Sequence, residues 1–154
     1  MKLTLFTDYS MRVLLYLAAR PERLCSIAEV AQAYGISQNH LMKVVNDLAR
    51  SGYIETTRGR GGGIRLGKRP ADINIGALVR HTEGGFDLVD CDDCIVAPAC
   101  RLTGILKEAL RAFLSVLDRY TLVDLVTSPR DFDQIFGLLE EKSRSSLTPT
   151  TDTQ

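Results

Sequence analysis

The sequence predicts a mainly α-helical fold with one small β-hairpin: a winged helix-turn-helix followed by a long dimerisation helix. Three observations predict it. Three segments of helical periodicity in the first 51 residues are separated by Pro, Ser and Gly signals. A glycine-rich hairpin sequence follows them directly. A wide apolar stripe then recurs at helical spacing from 101 to 120.

Residues 8–20 read as the first helix, with Met11, Leu14, Leu15 and Ala18 on one face and Pro21 ending it. Ser26 and Glu29 have capping-box spacing and open a second helix that Gly35 closes. Ser37 can cap a third helix, 38–51, whose apolar face is Leu41, Val44, Val45 and Leu48, and Gly52 closes it. Two short strands, 53–57 and 64–67, flank RGRGGG at 58–63, where glycines permit a sharp hairpin and the arginines project. A short helix over 75–83 follows, then an irregular loop over 84–100.

The helix over 101–120 carries Leu102, Ile105, Leu106, Ala109, Leu110, Phe113, Leu114, Leu117 and Tyr120. That stripe is wide enough to pack partly on its own body and partly on a second chain, so a homodimer is expected. Residues 121–126 and 131–139 each add a short helix or turn. The chain therefore divides into a winged helix-turn-helix domain at 1–83, a cysteine loop at 84–100 and a dimerisation helix at 101–127. A C-terminal helix or turn at 128–142 and a Ser/Thr-rich disordered tail at 143–154 complete it.

The 154 residues are 45% hydrophobic and 25% charged, enough for a packed core. The formal net charge is zero, but its distribution is uneven. Residues 1–80 hold 12 Lys and Arg against 6 Asp and Glu, and residues 81–154 hold 7 against 13. A basic N-terminal half can meet phosphate while the acidic half points away. No stretch approaches the roughly 20 apolar residues that cross a bilayer. The N-terminus also lacks the apolar run of a secretory signal. No membrane partner and a cytoplasmic location are expected. No cofactor loop or Ser/His/Asp arrangement stands out, so no enzyme is expected.

In helix-turn-helix geometry the N-terminal end of the second motif helix enters the major groove of double-stranded DNA. Those positions are Ser37, Gln38, Asn39 and His40, with Lys43 one turn on. Gln and Asn can bond bidentately to adenine edges, and Lys43 suits phosphate. Arg58 and Arg60 sit among glycines at the hairpin tip, where an arginine fits a narrow minor groove. Arg65, Lys68 and Arg69 extend the basic surface. The plain alternative is a solvated polar helix face and a charged turn.

Of four cysteines, Cys91, Cys94 and Cys100 fall within ten residues. Three thiolates so close can hold three irons of a 4Fe–4S cubane, with the fourth ligand supplied from elsewhere. A 2Fe–2S cluster with one non-cysteine ligand, a zinc site, a thiol redox switch and unliganded cysteines stay open on spacing alone. Cys25 lies far from the trio and His81 ends a helix; neither is expected to be a ligand.

The segments KLTLFTDYSMRVLLYL, RGRGGGIRLGKRPADINIG, CDDCIVAPACRL and LDRYTLVDLV resemble the winged-helix iron–sulfur transcriptional regulators over about residues 1–127. That family includes nitric-oxide-sensing repressors and regulators of cluster assembly. The assembly type carries a histidine three residues after the last cysteine; here Thr103 stands there. The nitric-oxide sensors carry an aspartate in the N-terminal Phe-Thr-Asp motif, which is Asp8 here.

The resemblance implies a dimeric repressor with a 4Fe–4S cluster, in preference to 2Fe–2S, on Cys91, Cys94, Cys100 and Asp8 of the partner subunit. Nitric oxide is the implied signal, with cluster nitrosylation releasing DNA. An iron- or redox-responsive member of the family, or a zinc or thiol-switch DNA-binding regulator, is the alternative. Asp8 can instead serve as the N-cap of the first helix. One departure is that the family's first two cysteines usually lie further apart, whereas only Asp92 and Asp93 separate Cys91 from Cys94.

Overall fold

The computed structural model describes residues 2–126 and 128–145. The first helix, α1, spans Leu5–Ala18 and starts three residues before the predicted 8–20. Its N-cap is Thr4, whose hydroxyl accepts from the Thr7 N–H at 3.3 Å. Glu83 accepts the Thr4 N–H at 2.9 Å, an anchor 79 residues away that no local signal announces. Asp8 therefore is not the cap. Its own N–H donates to the Thr4 carbonyl at 3.0 Å inside the helix, so its carboxylate is available for other partners.

Helix α2, Ile27–Tyr34, opens with the predicted capping box: Ser26 accepts from the Glu29 N–H, and Glu29 accepts from the Ser26 N–H at 3.1 Å. Gly35 closes it at φ 63°, in the left-handed region that favours glycine. Helix α3, Gln38–Arg50, buries Leu41, Val44, Val45 and Leu48 against α1 and α2. This apolar face fixes which side of α3 meets solvent.

Strands β1 (Ile54–Thr57) and β2 (Gly63–Leu66) pair antiparallel, Ile54 opposite Leu66 and Thr57 opposite Gly63. Cys25 adds a bridge on the far side of β2, donating to the Ile64 carbonyl at 2.9 Å and accepting from its N–H at 2.8 Å. A Cβ on Gly63 would lie 2.7 Å from the Cys25 carbonyl oxygen, so this close approach needs glycine.

After a 3₁₀ turn, Pro70–Asp72, helix α4 covers the predicted Ile75–Glu83, capped by the Asn74 side chain accepting from the Ala77 N–H. Residues 84–100 contain neither helix nor strand. Helix α5 spans Leu102–Leu117, shorter than the predicted 101–120. The Asn74 amide donates to the carbonyls of Asp118 and Tyr120 at 2.7 and 3.3 Å, and Asn74 bridges Thr121. These bonds draw the chain out of the helix.

Helices α6, Leu122–Leu125, and α7, Pro129–Ser145, follow. The latter exceeds the predicted 131–139. Residues 143–145, expected to begin a disordered tail, continue it, and the rest of that tail lies outside the described residues. Phe136, 4% exposed, docks α7 against the rings of Tyr16 and Tyr34 at 4.8 and 5.3 Å. Aromatic docking of this kind is a long-range contact, invisible to helical periodicity.

The main core gathers Val13, Leu14, Tyr16 and Leu17 of α1 with Leu41, Val44 and Leu48 of α3 and the hairpin residues Ile54 and Ile64. Fully burying each aliphatic side chain contributes about 1.5–3 kcal/mol. A second cluster, Ile75, Val79 and Leu114, joins α4 to α5. Among the described residues, no helix is long and apolar enough to cross a membrane.

Candidate nucleic-acid interface and metal centre

Because α3 turns its apolar face inward, its N-terminal end is left in solvent. Ser37, Gln38, Asn39, His40 and Lys43 are all exposed. Ser37 occupies the N-cap position, but its hydroxyl takes no capping bond. The His40 ring lies 6.4 Å from that of Tyr9 on α1, so the N-terminal end of α3 neighbours the helix that carries Asp8. Met42, 43% exposed, and Asn46 share the same face, and sequence reasoning missed both. Their spacing from Asn39, three and seven residues, is the signal that could have found them.

The hairpin presents Arg58 and Arg60 in solvent, Arg60 flanked by Gly59 and Gly61 at φ 94° and 76°. Neither arginine, nor Lys43, makes an ion pair among the described residues. The flanking basic residues differ. Arg65 pairs with Glu55 across the hairpin at 2.8 Å, and Arg69 pairs with Asp72 at 2.7 Å. The Lys68 ammonium sits 4.5 Å from the Tyr53 ring centroid. Around the hairpin and the start of α3, Arg58, Arg60 and Lys43 are thus cations with no carboxylate partner among the described residues.

The cysteine loop is a chain of tight turns: the N–H of Cys94 donates to the Cys91 carbonyl, Ala97 to Cys94, and Cys100 to Ala97. Cys91 is half-buried, Cys94 and Cys100 are exposed, and all three thiols are free. Two donors approach sulfur: the Thr103 hydroxyl lies 3.5 Å from Cys91 Sγ, and the Leu102 N–H lies 3.4 Å from Cys100 Sγ. Donors placed this way stabilise a metal-bound thiolate. The donor chemistry, three thiols in one loop, suits an iron–sulfur centre that takes its fourth ligand from elsewhere, although the described residues do not gather the three into a metal-holding group.

Cys25 does not supply that ligand: it is fully buried beneath β2, and burial pushes its thiol up to about 11. His81 is also engaged, on Asp47 and Ser51 of the α3 end. Among the described residues of the single chain, no group of three or more His, Cys, Asp or Glu is gathered in a metal-holding arrangement. Asp8 instead pairs with Arg12 at 3.0 Å and lines an open groove with Leu3, Leu5, Met11 and Ile36. Leu5 is 59% exposed there, while Ile95 and Val96 of the cysteine loop are 94% and 57% exposed.

A family model described as "Rrf2: Iron-dependent Transcriptional regulator" matches residues 3–128. The HTH-type transcriptional regulator NsrR of Bacillus subtilis is 53% identical over 146 residues, spanning 91% of this chain and 100% of that protein. NsrR of Halalkalibacterium halodurans is 51% identical over 148 residues, 92% of this chain and 99% of that protein. Among solved structures, that of CymR, described as the global cysteine regulator of B. subtilis, superposes with a TM-score of 0.66 at 29% identity. It covers 82% of this chain and 97% of its own.

Proposed function

The chain belongs to the Rrf2 family of transcriptional regulators, and from that membership we propose that it is a dimeric DNA-binding repressor whose iron–sulfur cluster senses nitric oxide. Cys91, Cys94 and Cys100 of one subunit and Asp8 of the partner subunit would hold the cluster, 4Fe–4S in preference to 2Fe–2S. The observation that carries this is the loop itself: three free, reachable thiols with hydrogen-bond donors aimed at two of them.

Dimerisation has its own support. On α5, Leu102, Ile105, Ala109, Ala112 and Val116 are exposed at alternating spacings of three and four, the heptad pattern of a helix seeking another helix. The adjoining face, with Leu110, Phe113, Leu114 and Leu117, packs on α4 and its neighbours. A second copy of α5 is the natural cover for the first stripe. Pairing of two subunits would set the spacing of the two α3 helices, which must be about 34–36 Å to enter successive major grooves.

When bound, the cluster supplies iron that reacts with nitric oxide. Asp8 offers a carboxylate oxygen, a harder and weaker partner for such iron than thiolate. Arg12, one turn along α1, stands ready to take that carboxylate. With Asp8 on Arg12 of its own helix, nothing ties α1 of one subunit to the cysteine loop of the other. Because Tyr9 follows Asp8 and faces His40, a change at Asp8 is felt where α3 meets DNA. A hundredfold change in operator affinity needs about 2.7 kcal/mol of coupling. The intact cluster is thus the repressing form.

The test is to isolate the protein without air, measure iron and acid-labile sulfide, and titrate operator DNA before and after nitric oxide. Iron and sulfide in similar amounts, and an affinity that falls on exposure to nitric oxide, are expected. A colourless, zinc-loaded protein that binds the operator with full specificity would overturn the cluster.

A further inference from the structure

Four consecutive residues close α4, and they tie it to three other helices. Arg80 reaches Asp118 at the end of α5, Nη2 to Oδ2 at 2.7 Å. His81 reaches the end of α3, its Nε2 2.7 Å from Asp47 Oδ2 and 2.9 Å from Ser51 Oγ. Thr82, buried, accepts from the Thr7 hydroxyl of α1 at 2.8 Å. Glu83 accepts from the N–H and hydroxyl of Thr4, the α1 cap, at 2.9 and 3.1 Å. Gly84 then ends the helix at φ 66°, and the cysteine loop begins.

The bonds around His81 settle the role of its imidazole. The Asp47 carboxylate only accepts. The Ser51 hydroxyl already donates to the Asp47 carbonyl at 3.0 Å, so toward the ring it accepts. Nε2 therefore carries a hydrogen and shares it between the two oxygens. This is a directional tie between α4 and the end of α3 farthest from DNA.

A tie at that end has leverage. The 13 residues of α3 span about 20 Å at about 1.5 Å per residue, so a tilt of about 5° about the His81 contact moves the reading end by nearly 2 Å. Such a shift is enough to break base-edge hydrogen bonds.

We propose that His81 is a positioning residue for DNA recognition. It locks α3 to the one turn of α4 that also grips α1 and α5 and leads into the cysteine loop, so that operator affinity follows the state of that loop. This inference rests on the cluster assignment above and adds the element through which the cluster acts.

The test compares cluster-loaded and cluster-free protein, each titrated with operator DNA, in the wild type, His81→Leu and His81→Gln. Leucine removes the donor; glutamine keeps an N–H at the place of Nε2. His81→Leu should keep the cluster absorbance and lose about tenfold in the affinity of the loaded form, shrinking the ratio of loaded to free affinities, and His81→Gln should restore most of it. Nitrogen-15 spectra of the cluster-free protein should show the His81 hydrogen on Nε2.

An unchanged ratio in His81→Leu, or a hydrogen found only on Nδ1, overturns the lock while leaving the cluster assignment standing. Equal affinities of loaded and free wild type overturn the cluster assignment instead. The lock is then decided in cluster-free protein: a loss in His81→Leu that His81→Gln restores supports it, and no loss overturns it. Should His81→Leu fail to fold, Asp47→Asn weakens the same contact from the α3 side and is read in the same way.

Discussion

Asp8 is held by Arg12 one turn along the same helix, the guanidinium Nε 3.1 and 3.0 Å from the two carboxylate oxygens. Both side chains are about two-fifths exposed, at 40% and 41%. An exposed pair at this spacing contributes only about 0.3–0.5 kcal/mol. Asp8→Ala should therefore melt, free of cluster, within about 0.5 kcal/mol of the wild type. Its iron content after air-free isolation should nevertheless fall sharply. A large drop in melting temperature with unchanged iron would make Asp8 a structural residue.

The wing arginines are expected to contribute through phosphate or groove contacts. Arg58→Ala and Arg60→Ala should each weaken operator binding, and each lost phosphate contact should lower the slope of log affinity against log salt by about 0.9. Arg65→Ala should change the slope less, because Glu55 already neutralises that guanidinium. Equal slopes for all three variants would remove the distinction between free and paired arginines. The cluster spectrum should not change in any of them.

Gly76 packs against the end of α5, where an added Cβ would meet the Asp118 carboxylate and lie 2.9 Å from its backbone nitrogen. Gly76→Ala should cost about 1–3 kcal/mol by overpacking. It should also displace the Arg80–Asp118 pair and loosen α5 from α4. Thermal melts read the first effect. Wild-type stability would mean that the α4–α5 junction adjusts freely.

Cys25 is buried and its thiol is pushed up to about 11 from an ordinary 9.0, chiefly by loss of solvation. A raised folded value means that stability from this group is complete below about 9 and is lost as pH rises through about 11. At pH 8, a thiol reagent should label Cys91, Cys94 and Cys100 of the cluster-free protein and spare Cys25 until it unfolds. Mass spectrometry after brief labelling checks this; rapid modification of Cys25 would contradict the burial.

Features written in local chemistry were legible in the sequence. The Ser26–Glu29 box, the Gly35 turn, the inward face Leu41, Val44 and Leu48, and the helix over 75–83 all follow from caps and periodicity. What escaped depends on residues far apart in sequence. Thr4 became the α1 cap with the help of Glu83, Asn74 cut α5 short, and Tyr16 with Tyr34 extended the visible role of α7 through Phe136.

The candidate site divides the same way. Cysteine spacing and the wing arginines are plain in the sequence. The local pairing of Arg65 and Arg69, the exposure of Met42, and the tie from His81 to α3 are tertiary facts. Among the described residues, the single chain gathers neither the three cysteines nor Asp8 with them into a metal-holding group, and cysteine spacing alone does not foretell that.

The most direct test of a centre shared between subunits uses mixed dimers, one subunit carrying Asp8→Ala and the other Cys94→Ala. If the loop of one subunit works with Asp8 of the other, each mixed dimer has one intact ligand set. It should hold about half the iron and sulfide of the wild type, at one site of two, and far more than either variant paired with itself. Mixed dimers with no more iron than the two parental variants would contradict a centre that bridges the pair.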